Sequence, residues 1–236
     1  MRNWVTLATK IEALGESMVD CPRRCEGIAP REGVPPRCLE LELEGRTHGP
    51  GAVIVGLNPG QAGPVEHSFY RKNGGTYAQV VAFWRKYIGY NHRYYRWLRT
   101  LVDQLHLTGP ILWTELAKCE SARKGQLPPL QTFRTCTKEY LSRELAAVPG
   151  SWPLIAVGHE AYVALAYRYP ERAVVGVPHP TGSHGHFARL FDGGQLLGEF
   201  TNVLDGLWRD DSGLAVWLSR DSAGPPDNED ADAETT

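Results

Sequence analysis

Short apolar runs alternate along the chain with longer stretches in which apolar residues recur at helical spacing. Four runs predict buried strands, at 52–57, 110–114, 153–158 and 174–177. The helical spacing predicts helices over 3–18, 77–89, 93–107, 130–148 and 159–168, and one or two closing helices over 196–218. Because strands that alternate with helices favour a covered parallel sheet, we expect a three-layer α/β/α fold around a mostly parallel, four-stranded sheet.

Residues 20–50 interrupt this alternation. The segment contains five prolines and three of the five cysteines of the chain. It predicts a long irregular stretch, and a stretch of this length needs something to hold it in place. In a chain that we expect to be cytoplasmic, cysteines favour a metal site or free thiols over disulfides.

Charge is distributed unevenly. The formal net charge is −2, but residues 222–236 contain five acidic residues and no Lys or Arg, so the remainder has 25 basic against 22 acidic residues. We therefore expect one domain over 1–221 and a disordered acidic tail over 222–236. No apolar run approaches the length of ~18 residues that a membrane-spanning helix needs, and the N-terminus lacks an apolar export signal.

Polar residues follow each predicted strand. Asn58, Glu115, His159 and His179 all occupy such positions. Because ligands of parallel sheets bind beyond the carboxyl ends of the strands, these residues predict a functional site at one edge of the sheet.

Two of these segments resemble motifs of one enzyme superfamily. Gly56-Leu57-Asn58-Pro59-Gly60, at the end of an apolar strand, is similar to the first motif of the uracil-DNA glycosylase superfamily. His179-Pro180-Thr181, about 120 residues later, is similar to its second motif. The resemblance implies the glycosylase fold and binding to DNA, by a chain that we expect to act as a monomer.

The cysteines extend the resemblance to the iron–sulfur branch (family 4/5-type). Lys118-Cys119 and Cys136, with 16 intervening residues between the two cysteines, match that branch, and Cys21 and Cys25 correspond to its N-terminal pair. The resemblance thus implies a [4Fe–4S] cluster on these four thiols, held between about 20–50 and 119–136; zinc is the alternative metal. Three residues separate the N-terminal pair where two are usual, so Cys38 remains an alternative ligand.

The resemblance assigns catalysis to Asn58 and His179. Asn58 would orient the attacking water, because an amide is too weak a base to remove its proton. His179 would donate a hydrogen bond to O2 of the leaving pyrimidine, where negative charge develops. The structural alternatives are an Asn58 that only stabilises a turn and a His179 satisfied by a backbone carbonyl.

Further positions would contact the DNA. A flipped base needs a π-face to lie on, and Phe69 matches the family's stacking aromatic, with Tyr70 as a competitor and core packing as the alternative. Gly56 would border the base. Ser183 and His184 belong to the segment 182–187, which corresponds to the family's helix-entering loop, and Thr181 of the second motif is also expected to contact DNA.

Two departures from the family bear on the substrate. Glu115 stands where uracil readers carry Asn; a carboxylate accepts from N3–H but repels O4, and it suits an exocyclic amine such as that of cytosine. Gly60 replaces a Tyr that blocks C5 substituents. Together they favour a C5-modified cytosine, such as the hypermodified bases of phage DNA, with a role in phage defence. The alternatives are plain uracil, with Glu115 bound to a neighbouring Arg or Lys, and another deaminated base such as hypoxanthine or xanthine.

Other protein classes explain fewer of these residues. An iron–sulfur electron carrier leaves Asn58 and His179 unexplained, and the cysteine spacing excludes a zinc nucleobase deaminase. A catalytically silent, iron–sulfur DNA-binding relative remains open. Because no lysine occupies an evident Schiff-base position, we expect a monofunctional glycosylase that leaves an abasic site for base-excision repair.

Overall fold

The computed structural model describes residues 4–29, 33–209 and 215–220. Within them the strands are β1 (Glu40–Glu42), β2 (Ala52–Gly56), β3 (Ile111–Glu115), β4 (Leu154–Val157), β5 (Val174–Val177), β6 (Phe191–Asp192), β7 (Gln195–Leu196) and β8 (Ala215–Trp217). Six of them form one sheet in the order β1-β3-β2-β4-β5-β8, and β6 pairs with β7 as a hairpin. All neighbours in the large sheet are parallel except β1, which is antiparallel to β3.

The sheet is larger than the sequence predicts. The four predicted strands are its centre, β3-β2-β4-β5, but the expectation of only four strands is wrong because β1 and β8 add an edge on each side. Strand β1 lies in the segment expected to be irregular. Its sequence Glu-Leu-Glu has no apolar run, and its carboxylates are buried against Arg85 and Arg99. Strand β8 has three residues and lies in the stretch predicted to be helical.

The helices are α1 (Trp4–Val19), α2 (Pro64–Asn73), α3 (Tyr77–Phe83), α4 (Arg93–Gln104), α5 (Leu130–Cys136), α6 (Ser142–Ala147), α7 (His159–Arg168), α8 (Gly198–Thr201) and α9 (Val203–Arg209). π-Helical segments, Trp84–Gly89 and Thr137–Leu141, follow α3 and join α5 to α6. The hydrophobic pattern does not predict α2, because only Glu66 and Tyr70 are buried on it. Proline in its first turn and Gly74 at φ 87° after its end give it the usual helix boundaries.

Both faces of the sheet are buried. Along β2, Val53 and Val55 join one core, whereas Ala52 and Ile54 join the other, as the two-residue period of a strand requires. Helices α1, α6 and α7 pack on the first face, and α4, α8 and α9 pack on the second. The α/β architecture with a mostly parallel sheet is therefore confirmed.

The strand order places a crevice beside β2. The chain passes from β2 to β3 on one side and then crosses to β4 on the other, and such a reversal opens a crevice at the carboxyl ends of the strands. Asn58 follows β2 at this edge, and Glu115 ends β3. The predicted tail over 222–236 lies outside the described residues. In the described part of the chain, no helix is both long and apolar enough to cross a membrane.

Candidate functional site

The side chain of Asn58 has a fixed orientation in the loop after β2. Its Nδ2 donates to Ser121 Oγ at 3.0 Å and to the Pro59 carbonyl at 3.2 Å. Because both hydrogens of Nδ2 are directed at these acceptors, Oδ1 is the atom left to accept a hydrogen bond from water. Ser121, which the sequence analysis did not select, therefore determines how the Asn58 amide presents itself.

A buried ion cluster anchors the same loop. Arg37 pairs with Glu66 and with Glu120, each at 2.9 Å, and its Nη2 also donates to the Gly60 carbonyl at 2.6 Å. Glu120 in turn accepts the Ala62 N–H at 2.7 Å. Charged groups at this depth stay stable only when they are paired, so the cluster holds the loop by several mutually dependent bonds. A Cβ added at Gly60 would meet no atom within 4 Å, so this side of the loop is open.

Glu115 lies at a small internal cavity beside the crevice. The thiol of Cys38 hydrogen-bonds to its carboxyl group, whereas Oε2 is shielded from solvent and has no hydrogen-bond partner among the described residues. Burial raises the pKa of Glu115 to about 7, although Lys118, Cys38 and Arg37 act in the opposite direction. A buried carboxyl oxygen without a partner is costly, so this atom is an available contact for a ligand.

Close packing surrounds this carboxyl group. A Cβ added at Gly56 would lie 3.3 Å from Cδ of Glu115 and 3.3 Å from Oη of Tyr94. Cys38 has a φ of 70°, in the left-handed region that non-glycine residues seldom adopt. The cavity measures about 20 Å³, room for one water molecule, so a base reaches Oε2 only when the side chains around it move apart.

His179 follows β5 and contacts the ring of Tyr94, with 5.1 Å between centroids. The Thr181 N–H donates to its Nδ1 at 3.3 Å, and a Cβ on Gly182 would approach Nδ1 to 3.1 Å. Desolvation, and secondarily His92, lower the pKa of His179 below its usual 6.5, which favours the neutral ring at pH 7. With Nδ1 accepting, the proton lies on Nε2, which can then donate to a ligand.

The segment after His179 is held by local hydrogen bonds. Ser183 Oγ donates to the His179 carbonyl at 2.7 Å and accepts the Phe187 N–H at 3.3 Å. His184 is exposed, with a φ of 49°, and Thr181 is exposed as well. Ser183, one of the three residues predicted to contact DNA, therefore stabilises the loop. The other two, Thr181 and His184, are exposed to solvent.

Phe69 is not among the described residues that line the cavity at Glu115. It lies in an aromatic cluster with Tyr70, Phe83 and Tyr87, at centroid distances of 5.5, 5.2 and 6.2 Å. Tyr94 is instead the aromatic side chain that adjoins both Gly56 and His179. The sequence contains no motif that would distinguish Tyr94 from the other aromatic residues of α4.

Four of the five cysteines line one cavity. Cys21, Cys25, Cys119 and Cys136 face it, whereas Cys38 lies beside Glu115. Cys136 Sγ accepts the Lys118 N–H at 3.3 Å, and burial raises the pKa of this thiol to about 11. None of the five forms a disulfide. The structure thus separates Cys38 from the other four thiols.

The fit of this cavity to a metal is mixed. Four thiols are the donor set that an iron–sulfur cluster or zinc takes. The space between them is about 20 Å³, however, and no three His, Cys, Asp or Glu side chains in the described part of the chain are arranged to hold a metal ion. The thiols would have to separate around the group for it to bind.

A buried ion pair lies between the two cavities. Lys118 Nζ donates to Glu144 Oε2 at 2.8 Å and to the Glu115 backbone carbonyl at 2.8 Å, and it also contacts the Thr114 hydroxyl. Both charged side chains are only 1% exposed. This pair fixes the end of β3 and the start of the Lys118-Cys119 segment relative to α6.

A scan of the sequence against protein-family models and a search of curated proteins found no match. The resemblance to the glycosylase superfamily therefore depends on the residues of this chain alone.

Proposed function

We propose that this chain is a monofunctional DNA glycosylase whose preferred substrate is a C5-modified cytosine. The observation that carries the proposal is the set of groups at one sheet edge: an oriented Asn58 after β2, the unpartnered Glu115 Oε2 at the end of β3, and a neutral His179 after β5. Each supplies a different function in base hydrolysis.

The reaction breaks the bond between C1′ of the sugar and N1 of the base. Water provides the oxygen that bonds to C1′, and one of its protons ends on the released base. Asn58 Oδ1 would orient this water, because its Nδ2 is already engaged with Ser121. His179 Nε2–H would donate to O2 of the base and stabilise the charge that develops as the bond breaks.

Glu115 would recognise the edge of the base. In its protonated form the carboxyl group can donate to cytosine N3 and accept from N4–H₂, so both oxygens are used. The same form can pair with uracil, by accepting from N3–H and donating to O4, and this keeps plain uracil as the second candidate. The ionised form repels O4 and retains only the amine contact. The open side of Gly60 is where a C5 substituent would be accommodated.

The four-thiol cavity would hold a [4Fe–4S] cluster, with zinc as the alternative. Its contribution would be structural, by crosslinking the N-terminal segment to the residues after β3. Lys118 N–H already donates to Cys136 Sγ, as backbone amides do at such thiolates. Iron, sulfide and zinc analysis of the purified protein tests this part of the proposal.

Replacing Glu115 by Gln should remove a pH dependence of substrate binding. With a pKa of about 7, the Glu115 carboxyl group loses its proton as pH rises through 7, so the wild-type KM should increase between pH 6 and 8. Glutamine has the shape and the donor–acceptor pattern of the protonated acid, and its KM should stay nearly constant. Steady-state kinetics on single-stranded substrates measure both profiles; equal slopes for the two proteins would contradict a role for Glu115 at the base.

The function itself is tested by base release from labelled oligonucleotides. The panel contains uracil, hypoxanthine, 5-hydroxymethylcytosine and its glucosylated form, each in single and double strands, and alkali converts abasic sites to breaks. The Asn58→Ala variant controls for contaminating enzymes. Release of a C5-modified cytosine supports the proposal and a role in phage defence. Release of uracil alone indicates ordinary repair, and no release from any substrate favours a silent DNA-binding protein.

A further inference from the structure

An open groove lies on the face of α2 that is turned away from the Arg37 ion cluster. Val65, Ser68, Phe69 and Lys72 line one wall, at the three- and four-residue spacing of a single helix face, and Tyr87 belongs to the opposite wall. The groove has a volume of about 550 Å³, far larger than the closed cavity beside Glu115.

The charged side chains that line the groove among the described residues are both positive. Lys72 and Lys86 are exposed there, and none of the lining residues that the structure describes is acidic. The carboxylate of α2, Glu66, is buried on the other side of the helix in its pair with Arg37. The groove therefore suits an anionic ligand such as a phosphate.

Its surface is also aromatic. Tyr87 is 39% exposed and packs edge-on against the half-buried Phe69, and Lys86 Nζ lies 4.9 Å from the Tyr87 ring centroid. Exposed aromatic faces beside lysines are the combination that binds unpaired nucleotides, since each base offers a π-face and each link a phosphate. In a duplex the faces of the bases are already stacked, so the groove favours a single strand.

The groove is close to the candidate site. Arg37 contacts both the Gly60 carbonyl in the Asn58 loop and Glu66 on α2. The groove is on the face of α2 opposite Glu66, about 10 Å away across the width of the helix. A strand with one nucleotide at Asn58 can therefore continue over α2.

We propose that the groove between α2 and the π-helical segment Trp84–Gly89 binds a nucleotide of single-stranded DNA. This nucleotide flanks the one that is held at Asn58. Lys72 and Lys86 contact its phosphates, and Tyr87 stacks on its base. This proposal rests on the proposed glycosylase function, which it extends from the excised base to the neighbouring strand.

Fluorescence anisotropy with a single-stranded oligonucleotide of undamaged thymidines tests the groove without requiring catalysis. The Lys72→Ala/Lys86→Ala double variant should bind about tenfold more weakly, and the slope of log K against log salt should fall by about 1.4, which is 0.7 for each lost phosphate contact. Lys10→Ala, which removes an exposed lysine of α1, is the control and should leave both quantities unchanged.

Tyr87→Leu separates stacking from charge, since leucine retains the apolar contact with Phe83 but has no aromatic face. It should weaken single-strand binding about tenfold and leave the salt slope and duplex affinity unchanged. The groove proposal is wrong if both variants bind the single strand with affinities within twofold of wild type, or if the wild type does not bind it. If the wild type releases a base but the variants bind single strands normally, the groove proposal is wrong and the glycosylase proposal stands. If the variants bind more weakly but the wild type releases no base, the glycosylase proposal is wrong and the groove proposal stands.

Discussion

Base release by the Asn58→Ala variant is expected to be at least about a hundredfold slower than by the wild type. Alanine removes Oδ1, the atom left to orient the attacking water once Nδ2 is bound to Ser121 Oγ and to the Pro59 carbonyl. The loss should be in the chemical step, because Glu115 and His179, the side chains proposed to hydrogen-bond to the base, are at the ends of other strands. Single-turnover kinetics with enzyme in excess measure this step directly.

Two variants define the limits of this test. Asn202→Ala replaces an exposed asparagine beyond α8 and should retain the wild-type rate. Ser121→Ala leaves Asn58 in place but frees its amide to rotate, so we expect an intermediate loss, about tenfold in kcat, with KM unchanged. An Asn58→Ala rate within about threefold of wild type would exclude Asn58 from catalysis.

Glu144→Ala is expected to lower the free energy of unfolding by about 3–5 kcal/mol. The substitution removes the carboxylate that bonds directly to the ammonium group of Lys118, a cation that is only 1% exposed. The Glu115 carbonyl and the Thr114 hydroxyl remain as partners, but neither carries a charge. Urea denaturation followed by circular dichroism gives the change.

The matched control is Glu139→Ala, because Glu139 also pairs with a cation, Arg23, but the two side chains are 38% and 51% exposed. This surface pair should contribute less than about 1 kcal/mol. The double variant Lys118→Met/Glu144→Leu removes both buried charges and should be much closer to wild type than Glu144→Ala. A Glu144→Ala loss below about 1 kcal/mol would show that the Lys118 charge is not held by this pair.

Local periodicity accounts for the elements that were predicted well. Helix α7 and strand β5 have the predicted bounds. Gly158 precedes the helix and Pro170 follows shortly after it, and Pro178 directly follows the apolar run of the strand. Strand β1 was missed because its two glutamates are buried only by pairing with Arg85 and Arg99, which lie 45 and 57 residues away. Helix α2 was missed because it has almost no apolar face.

The candidate site was only partly predictable. Asn58, Glu115 and His179 can be selected from the sequence because each follows a predicted strand. Their location at one sheet edge depends on strand order and not on side-chain packing. The sequence leaves Cys38 as an alternative metal ligand because the spacing of Cys21 and Cys25 is unusual. The fold separates Cys38 from the other four thiols and places it against Glu115. Tyr94 had no motif, and its contact with His179 is made between elements 85 residues apart.

The α/β class, the central strands and the polar residues at their carboxyl ends can all be predicted from spacing along the chain, without knowledge of the fold. The partners of those residues depend on the tertiary fold: Ser121 for Asn58, Cys38 for Glu115, and Arg37 for the Gly60 carbonyl in the loop after Asn58. These contacts join segments 23 to 77 residues apart, and no periodicity links such positions. They form because buried polar groups must find partners wherever the packed core brings one within reach.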